Sequence, residues 1–584
     1  MTLLSEAGEI GHVRVHKEVG GLHRTLTWKG AFWIASGVPA LVLISIGGMG
    51  AIAGKLAFLA WLISVLMGFS QAFSYAEIAG LFANKSGGAA VYGAAAWLRY
   101  SKLIAPLSVW CNWFAWSPVL SLGCAIAAGY ILNAIAPLPQ FTADSPQVIA
   151  WLQDAHNAAA IAGKGAEEAS KLAIAAVSDA SVPALRSFKL LEFSFFGLAN
   201  IEVGATFFIG AALMLLAFAI QHRGILGTAR IQMWIGLLVL VPMTIVGIVP
   251  FFNGSVDYAN YTPLVPPNGT WDNAGWTLFL AALFIAGWST YAFETAVCYT
   301  REFKNPATDT LKAIAWAGVV CVILYSLVSA TFQGHLGLEG MASPGILDGT
   351  GVAAAMGDMV GAGNPIVVHL LEMMMILALI LAIMMAMAGS SRTLYQGGID
   401  GWLPRYLGHA NGHGAPTRAM WTDLVFNLGL LTFAASDATA YYLILAISNV
   451  GYMIFIFLNL QATWIHRIDS PDIPRPYRAP NWLVAFNAVL GFVNLVLMGA
   501  GAKAWGNPNA LWYGLAFAGL IIPVFLFRHY VQDKGRFPDH MLVDLDLKGQ
   551  DLGERRAGLL PYITLLGAAA VVIASHYYFQ LPPS

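Results

Sequence analysis

Charge is scarce in this chain: Asp, Glu, Lys and Arg supply 10% of 584 residues, against 58% hydrophobic. A soluble domain is about 25% charged, so there are too few polar groups to clothe a water-facing surface of this size. The mean hydropathy of +0.67 points the same way. A net charge of −1 leaves no basic face to neutralise phosphates, which excludes a nucleic-acid binder. Cysteine is also nearly absent. Cys111, Cys124, Cys298 and Cys321 lie in apolar runs without CxxC or Cys/His spacing, so neither a zinc site nor a disulfide framework is indicated. The N-terminal MTLLSEAGEIGHVRVHKEVGG is polar and mixed in charge, and no cleavable signal peptide is expected there. No nucleophile motif and no His/Asp/Glu metal set stands out. An enzyme, a metal and a cofactor are therefore not expected.

What the chain has instead is long apolar runs. A bilayer core about 30 Å thick needs roughly 20 apolar helical residues. That window predicts spans near 29–50, 56–82, 103–135, 204–221, 229–251, 274–298, 311–333, 364–390, 418–435, 440–465, 482–502 and 510–528, with a thirteenth at 559–578. The expected fold is an all-α polytopic membrane protein in the lipid bilayer. With the N-terminus cytoplasmic, alternate segments collect 24 of the 30 Lys and Arg residues, as positively charged cytoplasmic loops require. The expected location is the plasma (inner) membrane. The chain divides into a cytoplasmic tail (1–28), a twelve-span core (29–528), a basic cytoplasmic segment (529–558) and the additional helix. Residues 136–203 form an Ala-rich extracytoplasmic insertion, predicted to be a helical hairpin capping the bundle.

Two spans interrupt themselves, at Ala35-Ser36-Gly37-Val38-Pro39 and at Ala286-Gly287-Trp288-Ser289-Thr290-Tyr291-Ala292. Irregular backbone at membrane depth survives only around a protein cavity or a ligand. The two interruptions open the first and second groups of five helices, as an inverted five-plus-five repeat predicts for its substrate-binding helices. The second is followed by Glu294. An intramembrane acid is a functional candidate by default, and because burial disfavours its charged form it can load and release a proton.

Four segments carry a resemblance. They are YAEIAGLFANKSGGAAVYGAAAW (75–97), AFETAVCYTREFKNP (292–306), SSRTLYQGGIDGWLPRYLGHANGHGAP (390–416) and RPYRAP (475–480). In content and order they resemble the amino acid permeases of the amino acid–polyamine–organocation superfamily. That group shares an inverted-repeat fold with sodium-coupled neurotransmitter transporters. The resemblance covers roughly residues 25–528 and implies secondary active transport of an amino acid or related small amine by alternating access. A polyamine or other organocation carrier, or a non-transporting amino acid sensor, is the alternative.

By the same resemblance, the substrate carboxylate rests on backbone N–H groups at Ser36, Gly37 and Val38. A half-helix N-terminus suits an anion there on physical grounds too. The ammonium meets carbonyls around Gly287, Ser289, Thr290 and Tyr291. Trp288 takes the position of a gating aromatic, and Glu294 that of an acid coupling the gate to protonation. Asn112 is a candidate cavity-lining residue on the third span. Glu77 and Glu302 are expected as inner-gate ion-pair partners or boundary charges, and His369 with Glu372 as a solvated interface pair. The coupling ion is a proton or sodium; Ser390 and Ser391 are sodium-ligand candidates near the cytoplasmic end. SGVP in span one and Ala292 in span six depart from the family pattern and leave the substrate open.

Overall fold

The computed structural model describes residues 7–10, 13–16, 21–139, 141–154, 157, 161, 164–195, 199–436, 438–544 and 552–582. The chain is 74% helical. Among the described residues, ten helical stretches are long and apolar enough to cross a membrane. The first, Trp28–Leu81, runs for 54 residues, about 80 Å at 1.5 Å per residue, so one crossing cannot contain it. It is α1 (Trp28–Ile34), α2 (Leu41–Ala53) and α3 (Ala57–Leu81). The reversal falls at Gly54, whose φ of +56° only glycine adopts freely. Two spans expected from sequence lie outside the ten. One, α9 (Ala205–Gln221), is shorter than the rest. The other, α15 (Thr417–Ala434), carries Arg418, Asp423 and Asn427 among its apolar residues.

Between the second and fourth spans lie α4 (Ala89–Trp97), α5 (Ile104–Trp116) and α6 (Val119–Ile135), the last two separated at Ser117-Pro118 because proline lacks the amide that would continue the ladder. The insertion holds α7 (Pro146–Gln153) and α8 (Ala166–Ala180), which close a small core of Val148, Ala173 and Val177. It also holds an antiparallel hairpin of β3 (Lys189–Phe195) and β4 (Ala199–Gly204), which no helical expectation anticipated. A shorter hairpin, β1 (Ala7–Ile10) with β2 (Val13–His16), lies in the N-terminal tail.

The bundle continues through α10 (Ile225–Ile248), α11 (Asn273–Thr290), α12 (Pro306–Met341), α13 (Val352–Gly361) and α14 (Pro365–Ile399). After α15 come α16 (Ala438–Asp469), α17 (Asn481–Gly501), α18 (Ala510–Gly519), α19 (Ile521–Leu526) and, at the C-terminus, α20 (Leu560–Tyr578). The 35 residues of α14 reach about 52 Å, well past a bilayer core. Its second half, from Met384 to Gly398, is buried almost throughout, against half-exposed positions nearer its start. The core therefore lies where α5, α14 and the end of span six meet. Trp61, Trp97, Trp116, Trp288 and Trp402 are its largest fully enclosed side chains.

Candidate functional site

Both interrupted spans change helix type. In span one, Ala35–Gly37 is a 3₁₀ turn; the Val38 amide donates to Ala35 O at 3.1 Å and that of Leu41 to Val38 O at 3.0 Å. Where sequence led us to expect an open ladder over Ser36–Val38, the Val38 amide is thus engaged three residues back. Gly37 admits no side chain, since a Cβ there would lie 2.9 Å from the backbone carbonyl of Leu381 in α14. Tyr325 O–H donates to Val38 O at 2.8 Å, and Ser36 Oγ to Trp33 O at 2.6 Å.

Span six changes later than sequence suggested. Gly287, Trp288, Ser289 and Thr290 belong to the regular α-helix, and the last α-type bond runs from Tyr291 N to Gly287 O at 3.3 Å. Ala292–Val297 is a 3₁₀ helix of six residues, long for a form that seldom exceeds three or four. The carbonyls beyond it find partners from other segments: Gly87 N donates to Cys298 O at 2.9 Å and Tyr92 O–H to Val297 O at 2.9 Å. That approach explains the paired glycines of the 75–97 segment. Gly87 and Gly88 have φ of +92° and +79°, and a Cβ on Gly88 would meet Cys298 Sγ at 2.7 Å. The two 3₁₀ segments pack against each other.

Glu294 lies in the second of them and is fully buried. Its Oε1 accepts from Trp116 Nε1 at 2.9 Å and Asn112 Nδ2 at 3.3 Å; Oε2 has no hydrogen-bond partner among the described residues. Asn112 Oδ1 in turn accepts from Thr393 Oγ1 at 3.0 Å. Aromatic rings surround the acid: Trp116 packs edge-on against Tyr452 at 5.0 Å, and Tyr452 lies 6.5 Å from Tyr291. Trp288 Nε1 donates to Ala115 O at 3.2 Å, while Thr290 Oγ1 pairs with Ser64 Oγ at 2.7 Å and Tyr291 O–H donates to Asn494 Oδ1 at 3.1 Å.

One residue further along α5, on the adjacent face, the donors turn to a second buried acid, which nothing in the sequence singled out. Asp423 of α15 accepts from Trp113 Nε1 at 2.9 Å and from Ser117 Oγ and Ser390 Oγ at 2.5 Å each. Helix α5 therefore feeds two carboxylates from adjacent faces, Asn112 and Trp116 to one, Trp113 and Ser117 to the other. Such i, i+4 pairs share a face by helical geometry. Ser391 Oγ lies 3.4 Å from Ala388 O.

At the end predicted to be cytoplasmic, the four resembling segments bond to one another. Arg392 grips Glu302 through Nε at 2.5 Å and Nη2 at 2.9 Å, with both side chains buried. Lys85 pairs with Asp400 at 2.8 Å, also buried, and Gln396 Nε2 donates to the same carboxylate oxygen at 3.0 Å. Glu77 receives Arg467 through Nε at 2.8 Å and Nη2 at 2.5 Å, and the Ala479 amide at 2.8 Å. Leu26 straps this end: its amide donates to Glu302 O at 2.9 Å and its carbonyl accepts from Lys304 N at 2.8 Å. Beside it, the Arg24 guanidinium donates to Ala83 O at 2.9 Å and Phe303 O at 3.1 Å. Glu77 and Glu302 are thus ion-paired rather than bare boundary charges. His369 and Glu372, 3.0 Å apart, form a pair in which the histidine is largely exposed.

Known proteins are similar in sequence. A branched-chain amino acid permease of Lactococcus lactis subsp. cremoris (strain MG1363) is 23% identical over 327 residues, 53% of this chain and 64% of the relative. One of Bacillus subtilis (strain 168) is 25% identical over 190 residues, 32% of this chain and 38% of the relative. In both cases the match spans less than two thirds of the relative's length. The amino acid permease family matches residues 26–525, from the strap at Leu26 through every segment of the two carboxylate clusters, and this chain belongs to it.

Proposed function

We propose that the chain is a secondary active carrier of a neutral amino acid with a branched or otherwise apolar side chain, working by alternating access. The observation that carries this reading is Glu294. It is a buried carboxylate with one oxygen held by α5 and the other without a partner among the described residues, where span six changes helix type beside span one. The 3₁₀ bonds at Val38 and Glu294 have poorer geometry than α-type bonds, so a substrate carboxylate or ammonium can displace them at low cost. The aromatic wall of Trp116, Tyr291 and Tyr452 suits an apolar side chain, as does the branched-chain substrate named for both relatives. The buried ion pairs and the Leu26 strap hold the predicted cytoplasmic end closed, and they must part for release on that side.

Purified protein in proteoliposomes is expected to take up labelled leucine, isoleucine or valine saturably, driven by a proton or sodium gradient. Absence of saturable flux across those substrates, other amino acids and polyamines overturns the reading. A second expectation concerns coupling. If Glu294 carries the proton, uptake falls as rising pH strips it, whereas Glu294→Gln, permanently neutral, flattens the profile while the protein still folds. A wild-type profile in that variant returns Glu294 to a structural role.

A further inference from the structure

The β3–β4 hairpin is amphipathic across its width. Cross-strand neighbours Leu191 with Val203 and Phe193 with Ile201 share one face; Glu192 with Glu202 and Ser194 with Asn200 share the other. The polar face is closed on itself, Lys189 Nζ bonding Glu192 Oε1 at 2.8 Å and Glu202 Oε2 at 3.1 Å. The apolar face is not. Leu191 is 48% exposed and Phe193 46%, with Phe188 and Leu190 alongside at 47% and 67%. A two-stranded hairpin is at best marginal in water, and an apolar surface of this kind marks a protein or membrane contact.

What covers it follows from where the hairpin stands. Gly204 ends β4, and Ala205 begins α9 with no residue between, so the hairpin ends where an apolar helix of 17 residues, a span by the sequence reading, begins. Strand β4 packs on α9 and on α15. Phe188 meets Phe208 of α9 at 6.2 Å between ring centres. Phe208, Leu215 and Leu216 are themselves half exposed on that helix, the surface that hydrocarbon must cover. The apolar face of the hairpin continues it.

We propose that this hairpin lies on the membrane with Leu191 and Phe193 sunk into the nearer leaflet and Glu192 and Ser194 turned to water. It is an interfacial foot on the insertion rather than a cap standing in solvent. Among the described residues β3 pairs with β4 alone, and its other edge fixes the depth: bare N–H and C=O groups are not tolerated in hydrocarbon, so the strand rests among the headgroups and only its side chains reach the acyl chains.

Nitroxide labels test this on the full chain, because Cys111, Cys124, Cys298 and Cys321 are buried. Leu191→Cys, Phe193→Cys and Ser194→Cys are labelled one at a time and reconstituted in phosphatidylcholine–phosphatidylglycerol vesicles. Collision with oxygen, which concentrates in the bilayer, is compared with collision with a water-soluble nickel chelate. Labels at 191 and 193 are expected to meet oxygen several-fold more readily than nickel, and the label at 194 the reverse. Free access of nickel at 191 and 193 would mean a hairpin in water and overturn the proposal. Protection from both reagents would mean a protein cover, such as a second copy, and overturn it equally.

Discussion

Arg392→Ala is expected to cost the fold about 3–5 kcal/mol, the usual consequence of stranding one member of a buried ion pair. The guanidinium holds Glu302 through two bonds, and both side chains are 3% exposed or less. Removing it leaves a carboxylate enclosed by protein with no cation opposite. Arginine's planar fork is what matches two carboxylate oxygens at once, so Arg392→Lys should recover only part of the loss. A charge-free pair, Glu302→Gln with Arg392→Met, should recover more than Arg392→Ala alone, because no unpaired charge then remains. Thermal unfolding of detergent-purified variants reads the order. A melt for Arg392→Ala equal to wild type would mean that this pair does not stabilise the fold.

Asp423→Ala should be the other severe lesion, at about 2–4 kcal/mol, since each buried donor left unmatched costs about 1–3 kcal/mol. Ser117 and Ser390 carry hydroxyls that can turn towards other oxygens. The Trp113 indole cannot, and its N–H would point at empty space where the carboxylate was. Asp423→Asn keeps an acceptor for Trp113 and Ser117 and can donate to Ser390, so it should stay within about 1 kcal/mol of wild type if hydrogen bonding, not charge, is what the site needs. The comparison is again of melting temperatures. If Ala is tolerated as well as Asn, Asp423 does not tie α5, α14 and α15 together.

Much of this architecture could be read before any coordinates. Apolar run length locates most of the spans because the bilayer demands it, with α9 and α15 outside the ten long apolar stretches, and it locates the reversal at Gly54 nearly as well. Partner choice was hidden. Nothing local says that Glu302 belongs to Arg392, 90 residues on, or that Lys85 belongs to Asp400; those pairings exist only once four distant segments converge. The change of helix type in span six was misplaced for the same reason. Gly287 looks like the weak point, yet it is regular α-helix, and the 3₁₀ run begins only at Ala292 and ends where Gly87 and Tyr92 arrive to take the carbonyls of Cys298 and Val297. Asp423 stands in TRAMWTDLVFNLGLL, where nothing local marks it as the acceptor for side chains of two other helices. The β hairpin lies in an insertion whose Ala-rich composition predicts helix, although KLLEFSF alternates as a half-buried strand does.

The six-residue 3₁₀ run in span six has a mechanical meaning. Such a helix rises about 2.0 Å per residue against 1.5 Å for the α form, so rewinding those residues would draw the segment in by about 3 Å. It would also unwind it by about a third of a turn, from 3.0 to 3.6 residues per turn. Glu302, a few residues downstream, would be carried with it and pulled out of the fork of Arg392. In the carrier proposed above, the stroke that frees Glu302 from Arg392 would be supplied by pitch within the span itself.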